Sequence, residues 1–330
     1  MTNTHAERFL GDLHDSYFGT DPRINQDLAR SLNGLNVVIA GAGRGIGRAA
    51  AEMFSHGAPK SLGIIALEQD ELDETKRLCL EINKSIRVKT GVFDVSDSAA
   101  CQDFLEQADK DFNGIDVIVM NAGRPPQWLP VAEGDPNVWW NTVEVSLRGA
   151  YNFSRYGLPI MQRRKQGRII FTSSAGAHSN RGISAYILAK LSIVRLAEII
   201  HVENFKDYNI KAFAIHPGSI PTRFYHDFKD KAEGKTEQLR YLKEGVEGEE
   251  KSARIAMSFF EKAKWDTPYM AAGMMTALAS GQLDSMSGRY VDSALRVEGL
   301  VEQKEIIAEH DRYRVRLNAG EARLIPKLDF

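Results

Sequence analysis

The segment NVVIAGAGRGIG at residues 36–47 joins a short apolar run to a turn rich in glycine, and a helix-forming run follows at residues 48–54. A strand, a glycine-rich turn and a helix in this order form the first half of a dinucleotide-binding unit. The glycines at 41, 45 and 47 follow the spacing G-x-x-x-G-x-G, whereas G-x-G-x-x-G does not fit. Such glycines let main-chain N–H groups approach a pyrophosphate at the helix N-terminus.

Strand and helix patterns alternate along the chain that follows. Strands are predicted at residues 36–40, 61–67, 87–92, 116–120, 168–172, 211–215 and 288–291, and helices at 71–83, 98–112, 137–162, 184–208 and 268–280. This alternation predicts an α/β fold: a single Rossmann-type, doubly wound and mostly parallel sheet of about seven strands with helices on both faces. Ligands of such open sheets bind outside the carboxyl ends of the strands.

Three parts are predicted: an N-terminal arm at residues 1–34, a Rossmann catalytic domain at 35–300 and a C-terminal tail at 301–330. Residues 223–264 are charged and helix-prone and come directly after the crevice, so we interpret them as a lid over the substrate; an insertion without function is the alternative. The apolar side of this lid would consist of Phe224, Tyr225, Phe228, Leu239, Tyr241 and Leu242.

The composition excludes several classes of protein. A net charge of −2 over 330 residues gives no basic surface for nucleic acid. Cys79 and Cys101 offer neither a disulfide framework nor a metal site. The polar start and the absence of an apolar run of about 18 residues predict no secretory signal and no membrane span. We expect a cytoplasmic homo-oligomer, a dimer or a tetramer, that acts on a small molecule.

Tyr186 and Lys190 are four residues apart in the helix predicted at 184–208. Residues at i and i+4 lie on one helix face, so the phenol and the ammonium group point into the same space. A tyrosine titrates near pH ~10, and a nearby positive charge lowers its pKa towards the working range. A hydroxyl donor is expected from residues 172–174. The pair alone also fits an ordinary surface helix, and it is the polar residues at other strand ends that favour a site.

Those polar and small residues follow several predicted strands. Glu68 ends the second strand, where a carboxylate can accept hydrogen bonds from ribose hydroxyls, although a solvated charge is the alternative. Asp94 follows the third strand and residues 121–123, Asn-Ala-Gly, follow the fourth. Residues 217–222 follow the sixth. Because carboxyl ends of parallel strands meet at one edge of a sheet, these residues predict a single crevice.

With the glycine turn, Asn-Ala-Gly, a serine, Tyr-x-x-x-Lys and Pro-Gly in register, residues 35–300 resemble the short-chain dehydrogenase/reductase family, its fungal members in particular. The resemblance implies that Tyr186 is the general acid/base, that Lys190 lowers the Tyr186 pKa and binds the nicotinamide ribose, and that Ser174 orients the substrate oxygen. The implied cofactor-binding residues are Gly41, Arg44, Gly45, Ile46, Gly47, Glu68, Asp94, Val95, Asn121, Ala122, Gly123, Tyr186, Lys190, Pro217, Gly218, Ile220 and Thr222.

The chain departs from the family pattern in ways that affect the site. Ala40 replaces a threonine before the glycine motif, and Met120 replaces the first residue of Asn-Asn-Ala-Gly. The interval from serine to tyrosine is one residue short. Counting from the strand favours Ser174, and counting back from the following glycine favours Ser173. We prefer Ser174, because a loop absorbs a deletion more easily than a strand does.

Ser146 replaces an asparagine that, in the family, helps hold a helix distortion and a water connecting the lysine to solvent. We include Ser146 among the catalytic residues and expect the substitution to re-tune or weaken catalysis rather than abolish it. Three further polar residues near the crevice, His178, Asn180 and His216, are candidates either for substrate contact or for structural roles.

The leading hypothesis is an NAD(P)-dependent oxidoreductase that interconverts a secondary alcohol and a ketone on an apolar small molecule, such as a secondary metabolite. The alternatives are a non-redox elimination or cyclisation with the same cofactor and Tyr186 as base, and a cofactor-binding regulatory protein without turnover. Glu68 favours NAD, because its carboxylate would repel the 2′-phosphate of NADP. Arg44 argues in the other direction, because a basic side chain at that position can reach the phosphate.

Overall fold

A computed structural model describes residues 13–178, 182–233, 235, 249–261 and 263–316. Its centre is a seven-stranded sheet in the order β3-β2-β1-β4-β5-β6-β7, and every neighbouring pair is parallel. The strands are β1 (Asn36–Ala40), β2 (Ser61–Ala66), β3 (Arg87–Val92), β4 (Val117–Met120), β5 (Gly167–Thr172), β6 (Ile210–His216) and β7 (Arg289–Asp292). The predicted doubly wound sheet is confirmed.

The twelve α-helices that the structure describes are α1 (Gln26–Leu32), α2 (Gly45–His56), α3 (Gln69–Ile82), α4 (Ser98–Phe112), α5 (Pro136–Val143), α6 (Gly149–Arg164), α7 (Ser184–Tyr208), α8 (Arg223–Ala232), α9 (Glu249–Phe260), α10 (Pro268–Ser280), α11 (Val297–Glu302) and α12 (Lys304–Glu309). One apolar core joins the sheet to α2, α3 and α10. The other joins the opposite face to α4, α6 and α7. Central strands such as β1 and β4 are buried throughout, because helices cover both faces.

The helix predicted without interruption at 137–162 contains a π-helical segment, Glu144–Arg148, between α5 and α6. Ser146 is the middle residue of this segment and is 1% exposed. A π-turn inserts one residue into the helical repeat, and such bulges are frequent at functional sites. The segment lies beside the chain that leaves β4, since a Cβ on Gly123 would lie 3.8 Å from Ser146 Oγ.

The described part of the arm packs on α10. Thr276 donates its hydroxyl hydrogen to the Thr20 carbonyl oxygen at 3.1 Å, and the Thr267 amide donates to the His14 carbonyl oxygen at 2.8 Å. At the other end of the chain, the Tyr290 amide of β7 donates to the Tyr313 carbonyl oxygen at 2.8 Å. Residues 1–12 of the predicted arm, 317–330 of the predicted tail and 239–242 of the predicted lid lie outside the described residues.

Among the helices that the structure describes, none is long and apolar enough to span a membrane. Within the same residues, no three histidine, cysteine or acidic side chains come together as metal ligands. Both cysteines are buried free thiols. Their burial raises the pKa of Cys79 to about 11 and that of Cys101 to about 12, so neither is poised as a nucleophile.

Candidate active site

The glycine turn after β1 is shaped by close approaches that exclude side chains. Gly41 has φ +81°, and a Cβ there would lie 2.7 Å from the Ala122 Cα atom. A Cβ on Gly47 would lie 1.9 Å from the Gly41 carbonyl oxygen. Gly45, with φ +53°, opens α2 and faces the Thr222 side chain. The turn is therefore a cradle of bare backbone at a helix N-terminus, as a pyrophosphate requires.

Asn121 ties this turn to the neighbouring strands. Its Nδ2 donates to the Gly41 carbonyl oxygen at 3.1 Å, and its Oδ1 accepts from the Thr172 hydroxyl at 3.1 Å. The amides of Asn121 and Ala122 both donate to the Ala40 carbonyl oxygen. The single asparagine that this chain retains therefore braces β1, β4 and β5 at their carboxyl ends.

Lys190 lies at the base of the site and is 3% exposed. Its Nζ donates to the Thr172 carbonyl oxygen at 2.7 Å, and its own carbonyl oxygen accepts from the Ser173 hydroxyl at 2.8 Å. Loss of water on burial lowers the pKa of Lys190 to about 8. The ammonium group is thus held in place by strand β5, with its charge retained at neutral pH.

Ser174 and Tyr186 are joined by a side-chain hydrogen bond. The Ser174 Oγ also accepts from the Gly176 amide at 2.9 Å. Burial raises the pKa of the Tyr186 phenol, and the bond with Ser174 lowers it in part. This direction is opposite to the lowering that the sequence predicts. Desolvation is the larger of these two effects on the Tyr186 pKa. The Lys190 Nζ lies 5.5 Å from the phenol ring centroid.

The two adjacent serines differ in their surroundings. Ser173 is fully buried and its amide donates to the Ile215 carbonyl oxygen at 2.7 Å, so it continues the pairing of β5 with β6. Ser174 follows the last ladder position and is half-buried. Of the two hydroxyls, the one bonded to Tyr186 belongs to Ser174.

Ser146 and Gly123 complete the wall beside Lys190. A Cβ on Gly123 would lie 3.5 Å from Lys190 Nζ and 3.8 Å from Ser146 Oγ, so the missing side chain keeps space between these groups. The Ser146 hydroxyl is buried and has no hydrogen-bond partner among the described residues. A buried hydroxyl without a partner costs free energy and is a natural place for a bound water.

The opposite end of the crevice carries Glu68, half-buried before α3, and a pair of arginines that share one carboxylate. Arg44 Nη1 lies 2.5 Å from Glu71 Oε1, and Arg223 Nη1 lies 3.7 Å from the same oxygen. Asp94 is exposed and accepts from the Ser96 amide and hydroxyl. The neighbouring Val95 is buried; its carbonyl oxygen accepts from Asn152.

The segment after β6, residues 217–222, runs along the site. Gly218 has φ +99°, and a Cβ there would lie 2.5 Å from the Asp266 carboxylate. Asp266 accepts from the Ser219 amide at 2.6 Å and donates its own amide to the Ser219 carbonyl oxygen at 2.8 Å. The Thr222 amide donates to the Ile220 carbonyl oxygen at 2.7 Å. Asp266 thus fixes the conformation of this segment.

Sequence reasoning missed Asp266 and Glu71. Asp266 also accepts from the His14 ring Nδ1 at 2.6 Å, across 252 positions of sequence. Glu71 reads as one acidic residue among several in the first turn of a helix. Neither carries a local signal, because each acts through a partner that is distant in sequence.

The three remaining polar candidates fall in different places. His178 is exposed and packs edge-on against Tyr290, with ring centroids 5.2 Å apart. His216 is half-buried, and its Nδ1 accepts from the Ala175 amide at 3.1 Å. Asn180 lies outside the described residues.

The helices of the predicted lid pack against the loop that follows β4. Trp128 in that loop contacts Phe228 of α8 and Phe259 and Phe260 of α9, with centroid separations of 5.1 to 6.3 Å. The Trp128 amide donates to the Ser252 hydroxyl at 2.8 Å. An aromatic cluster therefore joins the chain leaving β4 to the chain leaving β6.

Comparison with known proteins gives consistent matches. The profile of the family described as short chain dehydrogenase matches residues 35–233. Short chain dehydrogenase mpl6 from Monascus purpureus is 30% identical over 291 residues, covering 86% of this chain and 89% of the relative. The D-beta-hydroxybutyrate dehydrogenase of Cupriavidus necator is 27% identical over 269 residues, covering 79% and 99%.

Two solved structures share the fold. Levodione reductase superposes with a TM-score of 0.67 at 24% identity, covering 79% of this chain and 96% of that one. NAD+-bound xylitol dehydrogenase gives a TM-score of 0.66 at 21% identity, covering 79% and 98%. At these identities the likeness concerns the arrangement of strands and helices.

Proposed function

Because the chain belongs to the short-chain dehydrogenase family of oxidoreductases, we propose that it interconverts a secondary alcohol and a ketone on an apolar small molecule with a nicotinamide cofactor. The observation that carries this proposal is the contact chain at the carboxyl end of β5. Ser174 is hydrogen-bonded to Tyr186, and Lys190 is anchored one helical turn further on.

The residues present fit a dinucleotide. Gly41 and Gly47 leave bare backbone where a Cβ would collide, and α2 begins at that point. When bound, the nicotinamide accepts or supplies the hydride of the reaction. Gly41, Gly45 and Gly47 would hold the pyrophosphate, and residues 217–222 would hold the nicotinamide end.

Tyr186 would exchange the proton of the reaction. In the oxidation direction, its phenolate oxygen would take the substrate hydroxyl proton; in the reduction direction, its phenol would give a proton to the substrate oxygen. Ser174 would hydrogen-bond to the substrate oxygen. Because burial raises the pKa of Tyr186, the neutral phenol is the resting form, which suits proton donation to a ketone. Lys190 would stabilise the phenolate that this donation leaves.

We propose NAD(H) rather than NADP(H). Glu68 lies before α3, where its carboxylate can accept from both ribose hydroxyls and would repel a 2′-phosphate. Arg44, the side chain that argues for NADP, is ion-paired with Glu71. This pairing reduces the positive charge offered to a phosphate, and it strengthens the case for NAD.

An apolar substrate is supported by the cluster around Trp128. The loop that carries it begins after Gly123, three residues beyond the end of β4, and α8 begins directly after Thr222, so both segments follow strands whose carboxyl ends flank the site. Phe259 remains 64% exposed and Trp265 36% exposed. We propose that this aromatic surface receives a secondary metabolite.

The test is a panel of secondary alcohols and ketones, followed by nicotinamide absorbance near neutral pH with each cofactor. Tyr186→Phe is the matched control, since only the phenol oxygen is lost. We expect the variant to bind cofactor as the wild type does and to lose about 10²–10⁴-fold in turnover. A variant that keeps most of the rate would overturn the assignment of Tyr186. Product formed without any change in absorbance would instead favour the non-redox alternative.

A further inference from the structure

His216 links the two loops between which the proposed reaction takes place. It is the last residue of β6 and directly precedes Pro217 and Gly218. Its ring Nδ1 accepts a hydrogen bond from the amide of Ala175, the residue directly after Ser174, at 3.1 Å. One imidazole therefore joins the serine loop to the segment expected to hold the nicotinamide.

The position of this bond in the sheet gives it weight. Pairing of β5 with β6 ends at Thr172 and Ile215, and the Ser173 amide donates once more, to the Ile215 carbonyl oxygen at 2.7 Å. Beyond this point the main-chain pairing of the two strands ends, and the His216 side chain makes the next hydrogen bond between the segments that follow them. The His216 carbonyl oxygen accepts from the Ser293 amide at 2.9 Å, which holds the histidine backbone against the chain after β7.

The bond requires a particular protonation state. A neutral imidazole with its hydrogen on Nε2 has a free lone pair on Nδ1, whereas an imidazolium ion carries hydrogen on both nitrogens and cannot accept. An imidazolium would therefore set two N–H groups against each other at Ala175.

The surroundings of His216 favour the neutral form. Burial lowers its pKa from the ordinary value of 6.5. The negative charges of Asp292 on β7 and Asp266 before α10 raise the His216 pKa, whereas His178 lowers it further. The pKa remains below 6.5, so the imidazole is neutral at neutral pH.

We propose that neutral His216 is a positioning residue that holds Ser174 against Tyr186, and that its protonation releases the serine loop. This inference rests on the proposed function of Ser174 and Tyr186. It adds a group that acts on the serine loop through the Ala175 amide and that sets the acid limit of the reaction. Because the acceptor must be neutral, activity falls as the pH decreases through the His216 pKa, which burial places below the ordinary histidine value of 6.5.

The test compares His216→Asn with His216→Leu. The asparagine Oδ1 can take the place of Nδ1 as an acceptor and does not titrate, whereas leucine offers no acceptor. We measure kcat and KM between pH 4.5 and pH 9, together with the cofactor Kd from NADH fluorescence. We expect the leucine variant to lose about tenfold in kcat at pH 7.5, the equivalent of a hydrogen bond worth ~1.4 kcal/mol, with the cofactor Kd unchanged.

The asparagine variant should keep most of the rate at pH 7.5 and lose the decline on the acid side. A leucine variant with the wild-type rate, or an asparagine variant with the wild-type acid limb, would overturn the proposal. A second measurement does not depend on turnover. In ¹⁵N NMR spectra, the Ala175 amide shift should follow the His216 titration in the wild type and should not titrate in His216→Asn.

The two measurements also separate this inference from the proposed function. Absence of any turnover with a titrating Ala175 amide would count against the function and in favour of the bond. An Ala175 amide that does not respond to pH would overturn the bond, whatever the enzyme does.

Discussion

The ammonium group of Lys190 donates to the main-chain oxygen of Thr172 at 2.7 Å, and the Ser173 hydroxyl returns a bond to the Lys190 carbonyl oxygen. Helix α7 and strand β5 are therefore locked together by a buried cation. Burial lowers the pKa of that cation to about 8, so keeping the charge out of water lowers the free energy of unfolding.

Lys190→Met should remove turnover without destabilising the fold. At pH 7 we expect a free energy of unfolding equal to that of the wild type or higher by about 1–3 kcal/mol, because a desolvated charge is replaced by an apolar chain of similar length. Urea unfolding at several pH values measures the difference.

The sign of the pH dependence follows from the two pKa values of Lys190. Between about 8 in the folded state and 10.5 in the unfolded state, the unfolded chain binds the extra proton, so wild-type stability rises with pH. The difference in free energy of unfolding between Lys190→Met and the wild type should therefore become smaller from about pH 8 to pH 10.5. A wild type that is clearly more stable than the variant at pH 7 would contradict the argument.

Ser174→Ala and Ser173→Ala form a matched pair. Loss of the Ser174 hydroxyl should reduce kcat by about 10²–10³-fold with little change in stability, since a donor aimed at a reacting oxygen is worth about that much. Loss of the Ser173 hydroxyl breaks a buried bond to Lys190 and should lower the free energy of unfolding by about 1–2 kcal/mol. Measurement of kcat and of the urea unfolding midpoint for both variants shows which serine acts in catalysis and which in stability. The reverse pattern would move the substrate-binding role to Ser173.

Ser146→Asn should give a folded enzyme with equal or higher activity and a shifted pH optimum. The serine hydroxyl lies buried without a partner in the π-helical segment, beside the space that Gly123 leaves open near Lys190. An asparagine can supply the missing hydrogen bonds there. The measurement is kcat and KM across pH on one substrate. A large loss of activity without unfolding would show that the smaller side chain makes room for the substrate, because overpacking costs about 1–3 kcal/mol.

Glu71→Gln should relax the cofactor preference. The carboxylate holds Arg44 at 2.5 Å and lies 3.7 Å from Arg223, and the amide keeps the shape but not the charge. We expect kcat/KM with NADP(H) to rise by up to about tenfold, or ~1.4 kcal/mol, with little change for NAD(H). Glu68→Gln is the companion variant and should raise NADP(H) use by removing repulsion. If neither variant changes the ratio of kcat/KM with NADP(H) to that with NAD(H), Glu68 and Glu71 do not determine the cofactor preference.

Asp266→Ala should raise the KM for the cofactor by about threefold to tenfold while kcat changes less, because the side-chain bond to the Ser219 amide, worth ~0.5–1.5 kcal/mol, is lost and only the main-chain bond to Ser219 remains. His14→Gln is the control, since it alters the contact with the arm and leaves the Ser219 amide bonded. Initial rates at varied cofactor concentration measure the effect. If both variants raise the cofactor KM equally, the contact of Asp266 with His14 in the arm, and not its bond to the Ser219 amide, determines the conformation of residues 217–222.

Local signals account for what the sequence predicts well. Strand β1, strand β3 and helix α4 begin and end at the predicted residues, and the other strand ends differ by at most one residue. Buried apolar runs define these strands, and the Asp97 side chain caps α4 through the amides of Ala99 and Ala100. Such features act within a few residues and can be read directly from the chain.

Features that depend on distant residues could not be predicted in the same way. Apolar spacing alone predicts a continuous helix at 137–162; only the resemblance associates a helix distortion with position 146, and the π-turn at residues 144–148 lies there. The direction of the Tyr186 pKa depends on how completely the folded chain removes water from the phenol, which no spacing reveals. The contact of His14 with Asp266 joins two ends of the chain that carry no complementary pattern.

The bond between Tyr290 and Tyr313 bears on aggregation. Strand β7 is the last strand of the sheet, and a bare outer strand is a template for a strand of another molecule. The Tyr313 carbonyl oxygen takes the Tyr290 amide, the Arg289 guanidinium group donates to the Arg312 carbonyl oxygen, and the pair of Arg316 with Glu198 fastens the segment to α7. Proteolytic loss of residues 311–316 would leave the proposed catalytic groups intact. It would also leave the outer side of β7 without these bonds and free to pair with a strand of another molecule.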